Sequence, residues 1–129
     1  MTNVFHFPIA ACGGTTQAAA AAYDKRWLVV DGTGRWLSQS HSEQLADIQI
    51  ELRLGYLVLR APGMLRLDIP LDVIEDDDSV RGAATIGAQQ VDVVDEGELA
   101  AAWLTQFLGQ PCRLVKVHPD AGRVLWPEL

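Results

Sequence analysis

The most constraining feature of this sequence is its punctuation. Short runs of apolar and β-branched residues recur along the chain, most of them closed by glycine or proline, and one segment stands out with a helical period. Residues 26–31 (RWLVVD) are rich in aromatic and β-branched side chains and read as a strand. Gly32-Thr33-Gly34 turns the chain, and residues 35–39 (RWLSQ) read as the returning arm of a hairpin. Residues 48–54 alternate apolar and polar, Gly55 turns the chain into residues 56–60, and Ala61-Pro62-Gly63 precedes residues 65–69. Val73-Ile74, Thr85-Ile86 and residues 90–94 add shorter strands, and residues 112–117 a last one. Near the start, Phe5, Phe7 and Ile9 alternate with His6 and Pro8, so residues 4–9 read as a strand. Pro8 has no N–H for a ladder, which places that strand at an edge or at a bend. Many short strands joined by glycine or proline turns predict a barrel or sandwich.

The exception is residues 97–108. Leu99, Trp103 and Phe107 recur every four residues, and Leu104 and Leu108 widen the same stripe, the pattern of an amphipathic helix. Asp95 and Glu98 have the spacing of a capping box, Gly109 stands where a left-handed C-terminal cap belongs, and Pro111 blocks continuation. Such a helix spans about 18 Å. The five alanines 18–22 favour helix by propensity but give it no apolar stripe to bury, so residues 15–22 stay ambiguous. The expected fold is mainly β: one barrel-like domain over residues 1–129, closed by a strand that follows a single helix.

Size and charge narrow the function. A chain of 129 residues with 49% apolar and 21% charged residues supports one ordinary core. The net charge is −7 and the basic residues are scattered singly apart from Lys25-Arg26, which excludes a nucleic-acid backbone as partner. The acidic run Glu75-Asp76-Asp77-Asp78 reads as a solvated turn, since it lacks the alternating oxygens and the glycine of a calcium loop. Cys12 and Cys112 form no CxxC pair, no basic-then-apolar leader opens the chain, and the alanine run is too short to cross a membrane. The expectation is a cytoplasmic protein with reduced thiols and no membrane contact.

Little of the sequence carries catalytic chemistry. His6, His41 and His118 belong to no readable triad or metal motif. Gly13-Gly14 and Gly32-Thr33-Gly34 lack the spacing of a phosphate cradle and read as turns. Cys12 is the one candidate nucleophile, but it has no basic neighbour to depress its thiol and reads as structural. Lys25-Arg26, after Tyr23-Asp24, is the compact charged cluster. It reads either as a solvated strand start or as an anion contact.

Taken in order, these segments resemble the N-terminal β-barrel domain of MOSC proteins, the molybdenum-cofactor sulfurase C-terminal type that includes amidoxime-reducing enzymes. The residues carrying the likeness are Phe7-Pro8-Ile9 with Cys12-Gly13-Gly14, then residues 23–31 (YDKRWLVVD) and 34–39 (GRWLSQ), followed by Leu45 to Ile48. The best match is residues 97–104 (GELAAAWL) with Phe107-Leu108-Gly109, then Cys112-Arg113-Leu114-Val115. The resemblance implies a barrel that precedes a MOSC domain bearing a molybdenum-ligating cysteine, and the sequence stops before such a domain. It also implies contacts to an anionic pterin phosphate from a Lys-Ser pair and from an arginine in an Asp-Arg-x-Trp motif. Here Ala10 and Ala11 stand at the first pair and Lys25 at the arginine, and Ser40 stands where a further basic residue is expected. Alanine offers no charge-assisted bond to phosphate, and lysine lacks the arginine fork. The leading expectation is therefore a non-catalytic accessory or interaction domain, partnered by a MOSC-domain protein and carrying no cofactor by itself. The alternatives are a small-anion or pterin-phosphate module using Lys25, Arg26 and Ser38, and the separated N-terminal part of a molybdenum-cofactor-dependent reductase.

Overall fold

The computed structural model describes residues 4–39, 41–71, 81–118, 121 and 124–126. The predicted Val73-Ile74 strand, the acidic run at 75–78 and Ser40 lie outside these residues. Eight strands and one α-helix are described, in the order β1 (Ile9–Ala10), β2 (Trp27–Asp31), β3 (Gln49–Arg53), β4 (Tyr56–Arg60), β5 (Leu67–Pro70), β6 (Arg81–Ile86), β7 (Gln89–Asp95), α1 (Glu98–Leu108) and β8 (Cys112–Val117). The alanine run resolves as a 3-10 helix over Ala18–Tyr23, with a second such helix over Glu43–Asp47.

The strands form two sheets. One is five-stranded in the order β1-β2-β8-β7-β6, and the other is the meander β3-β4-β5. Within the larger sheet β1 runs parallel to β2 and the other pairs are antiparallel. The chain therefore places its last strand, β8, at the centre of the larger sheet, with Trp27 opposite Lys116 and Asp31 opposite Cys112. Both sheets and the helix share one core, in which Ile9, Trp27, Leu28, Leu45, Leu59 and Leu104 are fully buried.

The domain is barrel-like, but no continuous ladder closes it. Residues 35–39 return beside β2 across the Gly32–Gly34 turn as the sequence predicts, but only as a short arm: Asp31 N–H donates to Arg35 O at 2.9 Å. Trp36 bridges Val30 of β2, while Arg35 bridges Thr85 of β6. Leu37 N–H donates to Val29 O at 2.9 Å, and Trp36 N–H donates to Thr85 O at 2.9 Å. This segment bonds β2 on one side and β6 on the other, so it links the two; its pairing along β2 stops at Leu37 because Ile9 and Ala10 take the edge of Trp27 and Leu28. The predicted strand at 4–9 is likewise shorter. His6 makes a single bridge to Thr15, and the ladder begins only when Pro8 O accepts Trp27 N–H at 3.0 Å. Proline supplies the acceptor but no donor, which is why regular pairing waits for Ile9.

The helix forms where the sequence places it, but two expectations about it change. Its N-cap is Gly97 at φ 104°, with no side-chain cap, so the capping box does not form. Asp95 Oδ1 instead accepts Gly97 N–H at 2.7 Å, and Asp95 and Glu98 both turn to Arg113. A guanidinium offers charge-assisted bonds that outcompete a lone backbone donor. The buried face is Ala100, Ala101, Trp103, Leu104 and Leu108, whereas Leu99 is 75% exposed. The small alanines let the helix close on β8, and this rotates Leu99 outward. At the other end Gly109 takes the left-handed conformation, φ 73°, and its N–H caps Thr105 O at 2.9 Å.

Candidate functional site

Lys25 and Arg26 enter β2 from a tight corner. Lys25 has φ 55° and donates its N–H to Phe7 O at 2.7 Å, and Arg26 N–H reaches Tyr23 O at 3.1 Å. The Lys25 ammonium stands 4.0 Å from Asp24, both partly exposed. The Arg26 Nε is buried and has no hydrogen-bond partner among the described residues. Ser38 follows the segment that pairs with β2. The edge of Leu28 that faces this segment is taken by Ala10, so Ser38 turns away from β2 and is not brought beside Arg26 by the sheet.

Ser38 is 5% exposed and engaged by a residue that carries no signal of its own in the sequence. Its N–H donates to His41 Nδ1 at 3.2 Å, and its Oγ lies 2.9 Å from the same nitrogen. A backbone N–H can only donate, so Nδ1 is the accepting nitrogen. The turn closes with His41 N–H on Ser38 O at 2.9 Å. The three-residue spacing of serine and histidine is the available signal, but nothing in composition distinguishes such a turn from any other polar loop.

The alanine pair is sealed. Ala10 is fully buried and Ala11 is 2% exposed; both belong to the apolar core. Ala11 has φ 76°, and its carbonyl accepts Gln39 Nε2 at 2.8 Å. Next along the chain, a Cβ on Gly13 would come within 2.6 Å of Ile48 O, so only glycine fits where these backbones cross. Cys12 is buried at 1% exposure, and burial pushes its thiol far above the ordinary range. A thiol so placed is a core side chain rather than a nucleophile.

Among the described residues two cavities lie elsewhere, one at the N-terminal end of α1 and one along its side toward Pro111 and Cys112, and neither is lined by Lys25, Arg26 or Ser38. The larger, about 610 Å³, is walled by Asp31, Arg81, Asp95, Glu98 and Arg113 among others. The second, about 550 Å³, shares Glu98 and Arg113 and adds Thr105 and Cys112. Their charges are spoken for within the protein. Arg113 Nη2 bonds Asp95 Oδ1 at 3.1 Å and Glu98 Oε1 at 2.8 Å, and its Nε meets Asp95 Oδ2. Arg81 meets Asp92 at 2.8 Å, and Asp31 Oδ1 accepts from Thr33 and Arg35. Burial raises the Asp95 carboxyl, but Arg113 and the Gly97 N–H together outweigh burial and hold it below the usual range. The two carboxylates beside Arg113 form an ion-pair network rather than a general acid and base. Among the described residues no three His, Cys, Asp or Glu side chains converge as a metal site.

A second polar cluster is not legible in the sequence. Lys116 is 4% exposed; its Nζ donates to Leu71 O at 2.7 Å and lies 5.2 Å from the Trp27 ring centroid. Trp27 Nε1 donates to Glu96 Oε2 at 3.0 Å, and its ring stacks on Tyr23 at 6.0 Å. Lys116 reads as an ordinary strand residue until the β2–β8 register brings it opposite Trp27.

The residues available for a pterin phosphate fit that group poorly: two are core alanines and Ser38 is held by His41. Arg26 Nε is the exception. Fold and site together define a barrel-like β domain with one packed helix and its ionic groups largely paired. The family model for the MOSC N-terminal beta barrel domain matches residues 1–111, and the chain belongs to that family. Among curated proteins it is similar to the molybdenum cofactor sulfurase of Danio rerio, 33% identical over 93% of this chain and 16% of that protein. The human molybdenum cofactor sulfurase is 31% identical over 95% of this chain and 15% of its own length. Mitochondrial amidoxime reducing component 2 of Bos taurus is 27% identical over 100% of this chain and 42% of its own. The chain thus spans a small part, 15–16%, of the vertebrate sulfurases it matches. Among solved structures it is similar to the solution structure of a protein from Bordetella bronchiseptica, a structural genomics target. That likeness has 62% identity and a TM-score of 0.85, and covers 98% of each chain. No helix among the described residues is long and apolar enough to cross a membrane.

Proposed function

We propose that this chain is a non-catalytic accessory or interaction domain that works with a MOSC-domain protein in the cytoplasm. The observation that carries this reading is the burial of Ala10 and Ala11 in the core, at the positions where the resemblance calls for a phosphate-gripping Lys-Ser pair. A lysine at a fully buried position would bring an ammonium into the apolar interior, at a cost of several kcal/mol. The local backbone is therefore built around small apolar side chains, not around an anion. The test is affinity purification of the tagged chain from its native extract, with mass spectrometry of what it retains and metal analysis of the eluate. Retention of a MOSC-domain protein supports the reading. A chain that elutes alone and loaded with molybdenum overturns it.

A second reading is favoured by one observation. The buried Arg26 Nε lacks a partner among the described residues, and Lys25 precedes it at the same corner, so an anion could be taken there, with Ser38 the further candidate from the sequence. Titration with inorganic phosphate and with a pterin phosphate, followed by amide NMR, separates the two readings. Saturable shifts at residues 24–27 and 38 support the anion site, and their absence at millimolar ligand removes it.

A further inference from the structure

The last described segment, residues 124–126, is seated on the barrel in an unusual way. Val124 and Trp126 are partly buried against the core while Leu125 between them is 64% exposed, the alternation of a strand. Yet the main chain there meets a side chain instead of a strand. Leu125 N–H donates to Gln89 Oε1 at 3.2 Å, and Gln89 Nε2 donates back to Leu125 O. Trp126 stands edge-on to Trp36, with centroids 5.2 Å apart and planes at 73°. Trp36 is 5% exposed, and its indole Nε1 is buried with no hydrogen-bond partner among the described residues. Gln89 opens β7, and Trp36 lies in the segment that links β2 to β6.

We propose that Trp36 and Gln89 form a docking site for an extended peptide that carries a tryptophan, and that the chain's own Leu125-Trp126 occupies it as a displaceable latch. Main-chain recognition by one amide fixes an extended strand without reading the side chain of residue 125, which points to water. The aromatic contact supplies the specificity. Tethering gives the resident segment an effective concentration in the millimolar range, so a weak intrinsic contact suffices to seat it. The resident segment leaves the Trp36 N–H unmet. An incoming segment with a carbonyl or carboxylate at that point makes a bond that the latch does not, which gives a partner the means to win. This site is independent of whether Lys25 and Arg26 take an anion.

The test uses full-length chains. Trp126→Ala weakens the latch without touching its receptor, and a labelled synthetic peptide of residues 121–129 is then titrated while fluorescence anisotropy is read. Saturable binding to the Trp126→Ala chain, about tenfold or more tighter than to the unaltered chain, is expected from removal of the tethered competitor. The same peptide with alanine in place of its tryptophan should not bind. Equal binding to both chains, or none to a Trp126→Ala chain whose circular dichroism is native, overturns the proposal. A second measurement needs no peptide. Gln89→Ala should move the Leu125 amide and Trp126 indole resonances toward random-coil positions, and resonances that stay in place overturn it equally.

Discussion

The side-chain amide of Gln17 holds both backbone groups of Leu52: Leu52 N–H donates to Gln17 Oε1 at 2.7 Å, and Gln17 Nε2 donates to Leu52 O at 2.9 Å. β3 is an edge of its sheet, and an edge strand carries unpaired donors and acceptors that invite another chain. Gln17 satisfies one such pair from within the molecule.

Gln17→Ala should therefore have two effects. Loss of two partly exposed hydrogen bonds should lower stability by about 1–2 kcal/mol, read by urea denaturation. The unmasked edge should also raise concentration-dependent association, read by light scattering. A stability loss without added association would mean that Gln17 acts only as a local tie.

The two sides of α1 should respond differently. Trp103 is 8% exposed and donates its indole N–H to Leu65 O at 2.6 Å, so Trp103→Ala should cost about 3–5 kcal/mol. Leu99, 75% exposed, should lose no more than about 0.5 kcal/mol on the same change. Comparable losses at both positions would contradict the observed rotation of the helix.

Arg113 should shape the acid limb of stability. The folded Asp95 carboxyl lies below its unfolded value, about 3.9. A depressed carboxyl contributes stability that is fully present above the unfolded value and is lost as pH falls through the folded one. Asp95→Asn should thus flatten the stability profile below about pH 4 and change its shape little near neutrality. The pair is partly solvated, so a double-mutant cycle with Arg113→Met should return a coupling of only about 0.5–1 kcal/mol.

The crossing at Gly13 is tight enough to test directly. Gly13→Ala would drive a Cβ to 2.6 Å from a backbone oxygen, and backbone has to move to relieve it. A loss of about 1–3 kcal/mol is expected in thermal or chemical unfolding. Cys12 beside it should be unreactive toward a thiol reagent in the native chain and become reactive in step with global unfolding.

Strands β2, β4, β7 and β8, and the helix with its Gly109 cap, are legible in the sequence because their signals are local. Period two, period near four and a terminal glycine all fall within one element, and the sequence pattern bounds β8 at the same residues as the structure. The site is less legible. Lys25 and Arg26 stand out as adjacent charges, but the buried state of Arg26 Nε depends on packing. The hold of His41 on Ser38 depends on a turn whose polar residues look like those of any loop. The capping box fails because its rival, Arg113, sits on a different element.

Alternation and turn residues are enough to specify a β-rich chain with one helix, because each element's preference is set by neighbours within a few positions. Partners distant along the chain are not specified in that way. The central place of β8, the pairing of Arg35 and Trp36 with Thr85 of β6, and the seating of Trp126 on Trp36 each join segments that share no local signal. They arise only when the whole apolar surface is buried at once, since packing at interior density admits very few arrangements of the same strands.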